Sequence, residues 1–374
     1  MLKIEKKRLR TWLLIALASL GVHYLMLILA HSMISGGFSF SGLLSMMRDR
    51  LTKPGDAERY LDIARNGYVK EGENAINLVF YPLYPLLIRL LSLLIGNPAL
   101  SGCIISQVSF AVASILLYEL LLLDGDEKKA WNGVLLLSLY PFSMFVMGVF
   151  TEGLFLLLTI GCLYALRKEN YIAAGIIGFF AALTRTQGML LIFPAVYEIV
   201  IRAWGQEKRK LRWSDSCVLL IPLGFFVYLG INYAVHGNFF KFLEYEAGEP
   251  WYQTTRWIGE NIAQHYDMAM NYHGLSLIIY WVQIALYFIA LLTLFYGLWK
   301  KERISVLLYG GAYLGFTYLS GWMISGGRYM LCCVPLMMIW AGMKEGIFKR
   351  IFIFAMGCLF FAYSLFYLMG YAIM

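Results

Sequence analysis

Residues 55–85 read GDAERYLDIARNGYVKEGENAINLVFYPLYP, a polar stretch set between long apolar runs. It gathers Asp56, Glu58, Arg59, Asp62, Arg65, Lys70, Glu71 and Glu73 in a chain that is 60% hydrophobic and 14% charged. A soluble protein of 374 residues needs more polar surface than this composition supplies, so most of the chain is expected to dissolve in lipid. At about 20 residues per crossing there is room for about eleven transmembrane helices and little else. The expected fold is an all-α polytopic membrane protein, one domain over residues 1–374, with its chemistry in the polar loops.

Upstream of this stretch, MLKIEKKRLR precedes an apolar run over residues 11–34 that reads as a retained signal anchor. Lys3, Lys6, Lys7, Arg8 and Arg10 should hold the N-terminus in the cytoplasm, making residues 35–97 the first external loop. The end of that loop, from Phe80 onward, carries Pro82, Pro85 and Arg89 and is short for a crossing. It is expected to lie along the interface as an amphipathic helix. Further spans are expected at 99–123, 131–150, 153–166, 218–235, 275–299, 304–322, 330–343 and 351–371. Residues 171–200 are too long for one straight crossing and are interrupted at 184–188, so two short helices are expected there. A second external loop follows at 236–272, and the topology turns Asp56, Glu152, Arg185, Arg256 and Arg328 toward one external face.

The net charge of +8 marks cytoplasmic loops such as IRAWGQEKRKLRW (201–213) rather than a nucleic-acid partner. The six cysteines lie in or beside apolar runs and read as packing residues. His23, His31, His236 and His273 suggest no metal cage. In the second loop Glu244, Glu246, Arg256, His265 and Asp267 read mostly as solvated, with acceptor recognition as their functional alternative.

GDAERYLDIARNGY (55–68) followed by FYPLYPLL (80–87) resembles the PIG-V-like mannosyltransferases. Their pattern has a Trp-Asp pair, an aromatic residue, I-A-x-x-G-Y and then F-F-P-x-x-P. The resemblance continues in YPFSMFVMGVFTEGLF (140–155), AALTRTQGMLL (181–191) and GGRYMLCCVPL (326–336). One departure stands out: Gly55 occupies the place where the family usually has tryptophan.

The resemblance implies a GT-C-type enzyme that moves a hexose, usually mannose, from a polyprenyl-phosphate donor to a lipid, glycan or protein acceptor outside the cytoplasm. It places the catalytic base at Asp56, in a direct, inverting displacement. Such a step needs one carboxylate to take the acceptor proton, and cations around the departing phosphate. Arg185, Arg328, Arg59 and Arg65 are the phosphate candidates, because guanidinium forks match phosphate oxygens. Glu152 is the second acidic candidate, orienting the acceptor or, with Asp56, holding a divalent cation. Tyr60, Tyr68, Tyr81, Gln187 and Tyr329 are the candidate substrate-binding residues.

Plainer readings stand beside these. Asp56 fits a helix N-cap, Glu152 a solvated turn, Arg185 a snorkelling side chain and Arg328 an interfacial anchor. The alternative functions are a lipid or polysaccharide transporter or flippase, and a non-catalytic assembly subunit. The expected location is a bacterial plasma membrane with an external site, or the endoplasmic reticulum in a eukaryote.

Overall fold

Proline and polar breaks decide how this apolar chain is cut into helices. The computed structural model describes residues 2–53, 55–205, 208–272, 274, 277–319 and 323–371. His273, and the expected span ends at Leu275 and Trp322, lie outside the described residues. Seventeen α-helices form among the described residues. The first five are α1 (Leu2–Ser35), α2 (Phe40–Leu51), α3 (Asp56–Asn66), α4 (Leu83–Ile95) and α5 (Pro98–Leu122). Next come α6 (Glu127–Ser138), α7 (Glu152–Arg167), α8 (Tyr171–Ala182), α9 (Ile192–Trp204), α10 (Leu220–His236) and α11 (Lys241–Ala247). The last six are α12 (Ile258–Asn271), α13 (Val282–Trp299), α14 (Ile304–Tyr318), α15 (Gly326–Leu331), α16 (Val334–Ala341) and α17 (Ile347–Met369).

Among the described residues six helical stretches are long and apolar enough to cross a membrane: Lys6–Ser35, Pro98–Leu122, Thr186–Trp204, Trp213–His236, Leu277–Trp299 and Ile347–Met369. Length and apolarity therefore support fewer crossings than the expected eleven or so. Helices α7, α8 and α14 are short, and at two further runs the shortfall has a local cause. The run at 131–150 stops as a helix at Ser138, just before Pro141, and continues as a short 3-10 turn at Ser143–Met147. The run at 330–343 is split between α15 and α16, with Pro335 in the first turn of the second piece. Residues 171–200 do divide, into α8 and α9, with a 3-10 turn at Thr186–Leu191 between them.

Leu13, Leu14, Leu17, Phe295, Phe348 and Phe354 are exposed on the long helices, an apolar exterior suited to lipid rather than water. Inside, one continuous core runs from Ile15 to Leu368. Helices α1 and α5 are antiparallel: Tyr24 Oη donates to Gln107, and at the other end Arg8 and Trp12 donate to Glu119.

The segment around Phe80 is bent rather than straight. It forms a bent pair, the 3-10 helix Glu73–Val79 and α4, turned 112° from each other as in a broken span or re-entrant loop. Helix α4 runs back along α5, with Tyr84 Oη 2.7 Å from Ser106 Oγ and donating to the Gly102 carbonyl at 3.0 Å. Asn97 caps α5 through the Leu100 amide, and Pro98 stands at its first turn. Ser106 lies eight residues into α5, about 12 Å from its N-terminal end. That is the depth at which the polar residues meet.

Candidate active site

Four chain breaks deliver four charged side chains to the level of Ser106. The first follows Phe150, whose carbonyl accepts from Ser106 Oγ at 2.8 Å, while Gln107 Nε2 donates to the Met147 carbonyl at 3.0 Å. These bonds hold 147–150 against α5 and start α7 at Glu152, where a carboxylate suits the positive helix end. Thr151 and Glu152 are fully buried, so this is not a solvated turn.

Arg185 leaves the break between α8 and α9, with its Nε donating to Thr151 Oγ1 at 2.8 Å and its Nη2 to Glu152 Oε1 at 2.5 Å. Arg328 comes from α15. Its Nε donates to the same Glu152 oxygen at 2.5 Å and its Nη1 to Asp56 Oδ2 at 2.6 Å. Both guanidiniums are nearly buried, at 8% and 3% exposure, so neither is a snorkelling or interfacial cation. Arg328 is packed against the rings of Phe145 and Phe150, and Arg185 against those of Phe155 and Tyr329. Charge alternates along the row Asp56, Arg328, Glu152, Arg185, which is how four ionised groups persist at low dielectric.

Local backbone explains why these residues arrive. The amide of Gly327 donates to Gln283 Oε1 at 2.6 Å and its carbonyl accepts from Tyr140 Oη at 3.0 Å. A Cβ on Gly327 would stand 2.3 Å from the Phe142 ring, so only glycine lets α15 come this close. Asp56 is the first residue of α3 rather than its cap; the cap position is Gly55, with φ +59°.

A cavity of about 650 Å³ opens beside the row and is lined by Asp56 and Arg185 but not by Glu152. Tyr60, Tyr81, Gln187 and Tyr329 also line it. Arg185 Nη1 has no hydrogen-bond partner although it is buried. An unpaired buried donor of this kind costs about 1–3 kcal/mol and suits an anionic ligand.

Three sequence candidates sit elsewhere. Arg65 is exposed and away from the cavity. Arg59 Nη1 donates to Asn77 Oδ1, Asn77 Nδ2 donates to Asp62, and the Arg59 guanidinium packs on Trp251, so it clamps α3 to its neighbours. Tyr68 Oη donates to the Phe80 carbonyl at 2.6 Å and does not line the cavity.

The cavity has a further wall, of which the sequence marks only Glu246, with acceptor recognition as its functional alternative. Phe242, Glu246, Trp251, Thr254 and Thr255, all from the second loop, line it. Its sequence signal is modest: Phe242 and Glu246 are four apart and share one face of α11. Burial pushes the Glu246 carboxyl up to about 7. By contrast Arg256 is exposed, with its side chain held by Thr254 and Gln264. As for a divalent cation between Asp56 and Glu152, Arg328 bridges the two carboxylates, and that positive charge disfavours a cation there. Among the described residues no three His, Cys, Asp or Glu side chains gather closely enough to hold a metal.

Comparison with known proteins bears on the same region. Residues 81–229 match the family described as dolichyl-phosphate-mannose-protein mannosyltransferase, a stretch holding Glu152 and Arg185 but not Asp56 or Arg328. GPI alpha-1,6-mannosyltransferase 2 of Cricetulus griseus and of Homo sapiens are each 28% identical over 148 residues, 37% of this chain and 29% of theirs. GPI mannosyltransferase 2 of Drosophila pseudoobscura pseudoobscura is 26% identical over 190 residues, 45% of this chain and 41% of its own. The matches thus span less than half the length of these relatives. With the motifs at 55–87 and 326–336, they make this chain similar to the PIG-V-like mannosyltransferases of the GT-C class.

Proposed function

We propose that the protein transfers a mannosyl group from a polyprenyl-phosphate donor to an acceptor hydroxyl by inverting single displacement. One observation carries this reading. A single carboxylate of the charged row, Asp56, reaches the cavity, and it does so beside an arginine that keeps one donor unpaired. In this scheme the acceptor oxygen bonds to the anomeric carbon as the bond from that carbon to the phosphate oxygen breaks. The acceptor proton passes to Asp56, and the polyprenyl phosphate departs with one more negative charge.

Arg185 faces that developing charge from the cavity wall, its best use in a desolvated site. Arg328 holds the second oxygen of Asp56 and so fixes where the base points. As Asp56 takes up the proton, Arg328 loses an anionic partner while the phosphate gains charge. The row and the phosphate together therefore keep the same net charge through the step. Glu152, shut away behind both arginines, acts as their anchor rather than as an acid or base. Tyr60, Tyr81, Gln187 and Tyr329 supply polar contacts and ring faces for the sugar. The proposed location is a bacterial plasma membrane, or the endoplasmic reticulum of a eukaryote, with the cavity on the non-cytoplasmic side.

The test is transfer by purified protein from a panel of synthetic polyprenyl-phosphate sugars, followed by mass detection, with and without chelator. Wild-type protein should transfer mannose in both conditions. Asp56→Asn should lose about 10²–10⁴-fold in turnover while retaining donor binding. A near-wild-type rate in that variant would remove Asp56 from the mechanism.

A further inference from the structure

The mechanism leaves unused one carboxyl of the cavity, that of Glu246. Its position is set by packing rather than by a charge. Helix α11 is pinned to α10 at Phe242, whose amide donates to Asn232 Oδ1 at 3.1 Å and whose ring meets that of Tyr228 at 5.2 Å. Tyr228 in turn stacks on Tyr81 at 4.0 Å, tying this wall to the bent segment between the 3-10 helix Glu73–Val79 and α4. One turn after Phe242, Glu246 faces the cavity, and its carbonyl accepts from the Gln253 amide at 2.7 Å. That last bond closes the loop carrying Trp251, Thr254 and Thr255 into the lining.

Its neighbour on the same helix makes the contrast plain. Glu244 is exposed and takes both Lys241 Nζ at 2.6 Å and Asn238 Nδ2 at 2.7 Å. The Glu246 side chain makes no hydrogen bond or ion pair with the described residues. A half-buried carboxyl set among Phe242, Phe225 and Trp251 without a partner costs stability unless a ligand completes it. The ligand chemistry that fits is a pair of neighbouring hydroxyls on a pyranose. Two carboxyl oxygens accept from two O–H groups, while the aromatic faces beside it cover the C–H side of the ring.

We propose that Glu246 is a specificity-determining residue that binds a hydroxyl pair of a sugar in the cavity, whether that of the donor or of a glycan acceptor. The inference rests on the glycosyl-transfer reading above. It goes further by assigning to the second loop a direct share in choosing the sugar.

The test uses the full-length protein in the same transfer assay, with donor and acceptor titrated separately. Glu246→Ala should raise KM for one substrate about tenfold to a hundredfold, the usual loss for hydrogen bonds to an ionisable group, with kcat within about threefold. The substrate whose KM rises identifies the bound sugar, donor or acceptor. Glu246→Gln keeps the shape and one acceptor oxygen and should fall between the alanine variant and wild type. Should the alanine variant fail to fold, Glu246→Asp, which withdraws the carboxyl by one methylene, should raise the same KM about tenfold. Unchanged KM for both substrates in a folded variant overturns the proposal, as does a loss of kcat alone. Wild-type protein that transfers no sugar sinks the function itself, and the role of Glu246 with it.

Discussion

Helix α7 has an acidic and basic cluster at each end, one buried throughout except for Asp56 and the other buried only around Glu198, and the two make a natural experiment. At its N-terminal end stands the row Asp56, Arg328, Glu152, Arg185. Past its C-terminal end, about 24 Å away by helix rise, Glu198 takes Arg303 Nη2 at 3.1 Å and Ser305 Oγ at 2.6 Å, while Arg202 Nη1 donates to Glu169 at 2.6 Å. Residue types and hydrogen bonding are much alike. The space beside them is not: about 650 Å³ at the first cluster and about 10 Å³ at the second. Buried charge alone is therefore no mark of function here; buried charge with room for a ligand is. The second cluster is a packing device joining α9 to the start of α14.

The sharpest way to break this comparison is to remove the central carboxylate of each cluster. Glu152→Gln leaves Arg185 and Arg328 without their shared anion in a fully buried place. The expected loss is about 3–5 kcal/mol of stability, read as a lower melting temperature in detergent. Transfer in the surviving folded fraction should fall at least about tenfold, because both arginines lose their aim. A folded Glu152→Gln protein with wild-type transfer would show that the row does not position the reacting groups.

Glu198→Gln should cost less, about 2 kcal/mol, because its main partner Arg303 is partly exposed and rehydrates. Its melting temperature should fall while transfer per folded molecule stays within about twofold. A specific loss of transfer in this variant would join the two clusters functionally and undo the distinction drawn from their cavities.

How far this was legible without coordinates follows the same physics. Asp56, Arg185 and Arg328 stand out in the sequence because ionisable residues are rare and costly in so apolar a chain. That Glu152 accepts from both guanidiniums was not readable, since a turn between apolar runs looks alike whether it meets water or two arginines. The sequence leaves Glu246 between a solvated loop residue and acceptor recognition, and it does not mark Trp251 at all. Their part in the cavity depends on α11 docking onto α10 through Phe242 and Asn232, a contact no local pattern encodes. The runs at 131–150 and 330–343 do not form single long helices, because hydropathy sums apolar residues without registering the breaks near Pro141 and Pro335.

The two clusters also differ in what holds their acidic residues, and this leads to the smallest predicted effect. Glu198 sits within α9, on regular backbone, whereas Asp56 follows Gly55, whose φ of +59° and ψ of −123° suit glycine. An added Cβ at Gly55 would meet nothing within 4 Å, so any penalty there is conformational rather than steric. Gly55→Ala should therefore cost about 1 kcal/mol in stability and lower transfer by a few-fold as the start of α3 relaxes. Gly55→Trp separates the explanations, because a side chain that packs without altering the backbone would leave melting and transfer at wild-type values. A loss similar to that of the alanine variant would instead mark the left-handed turn as what aims Asp56 at Arg328.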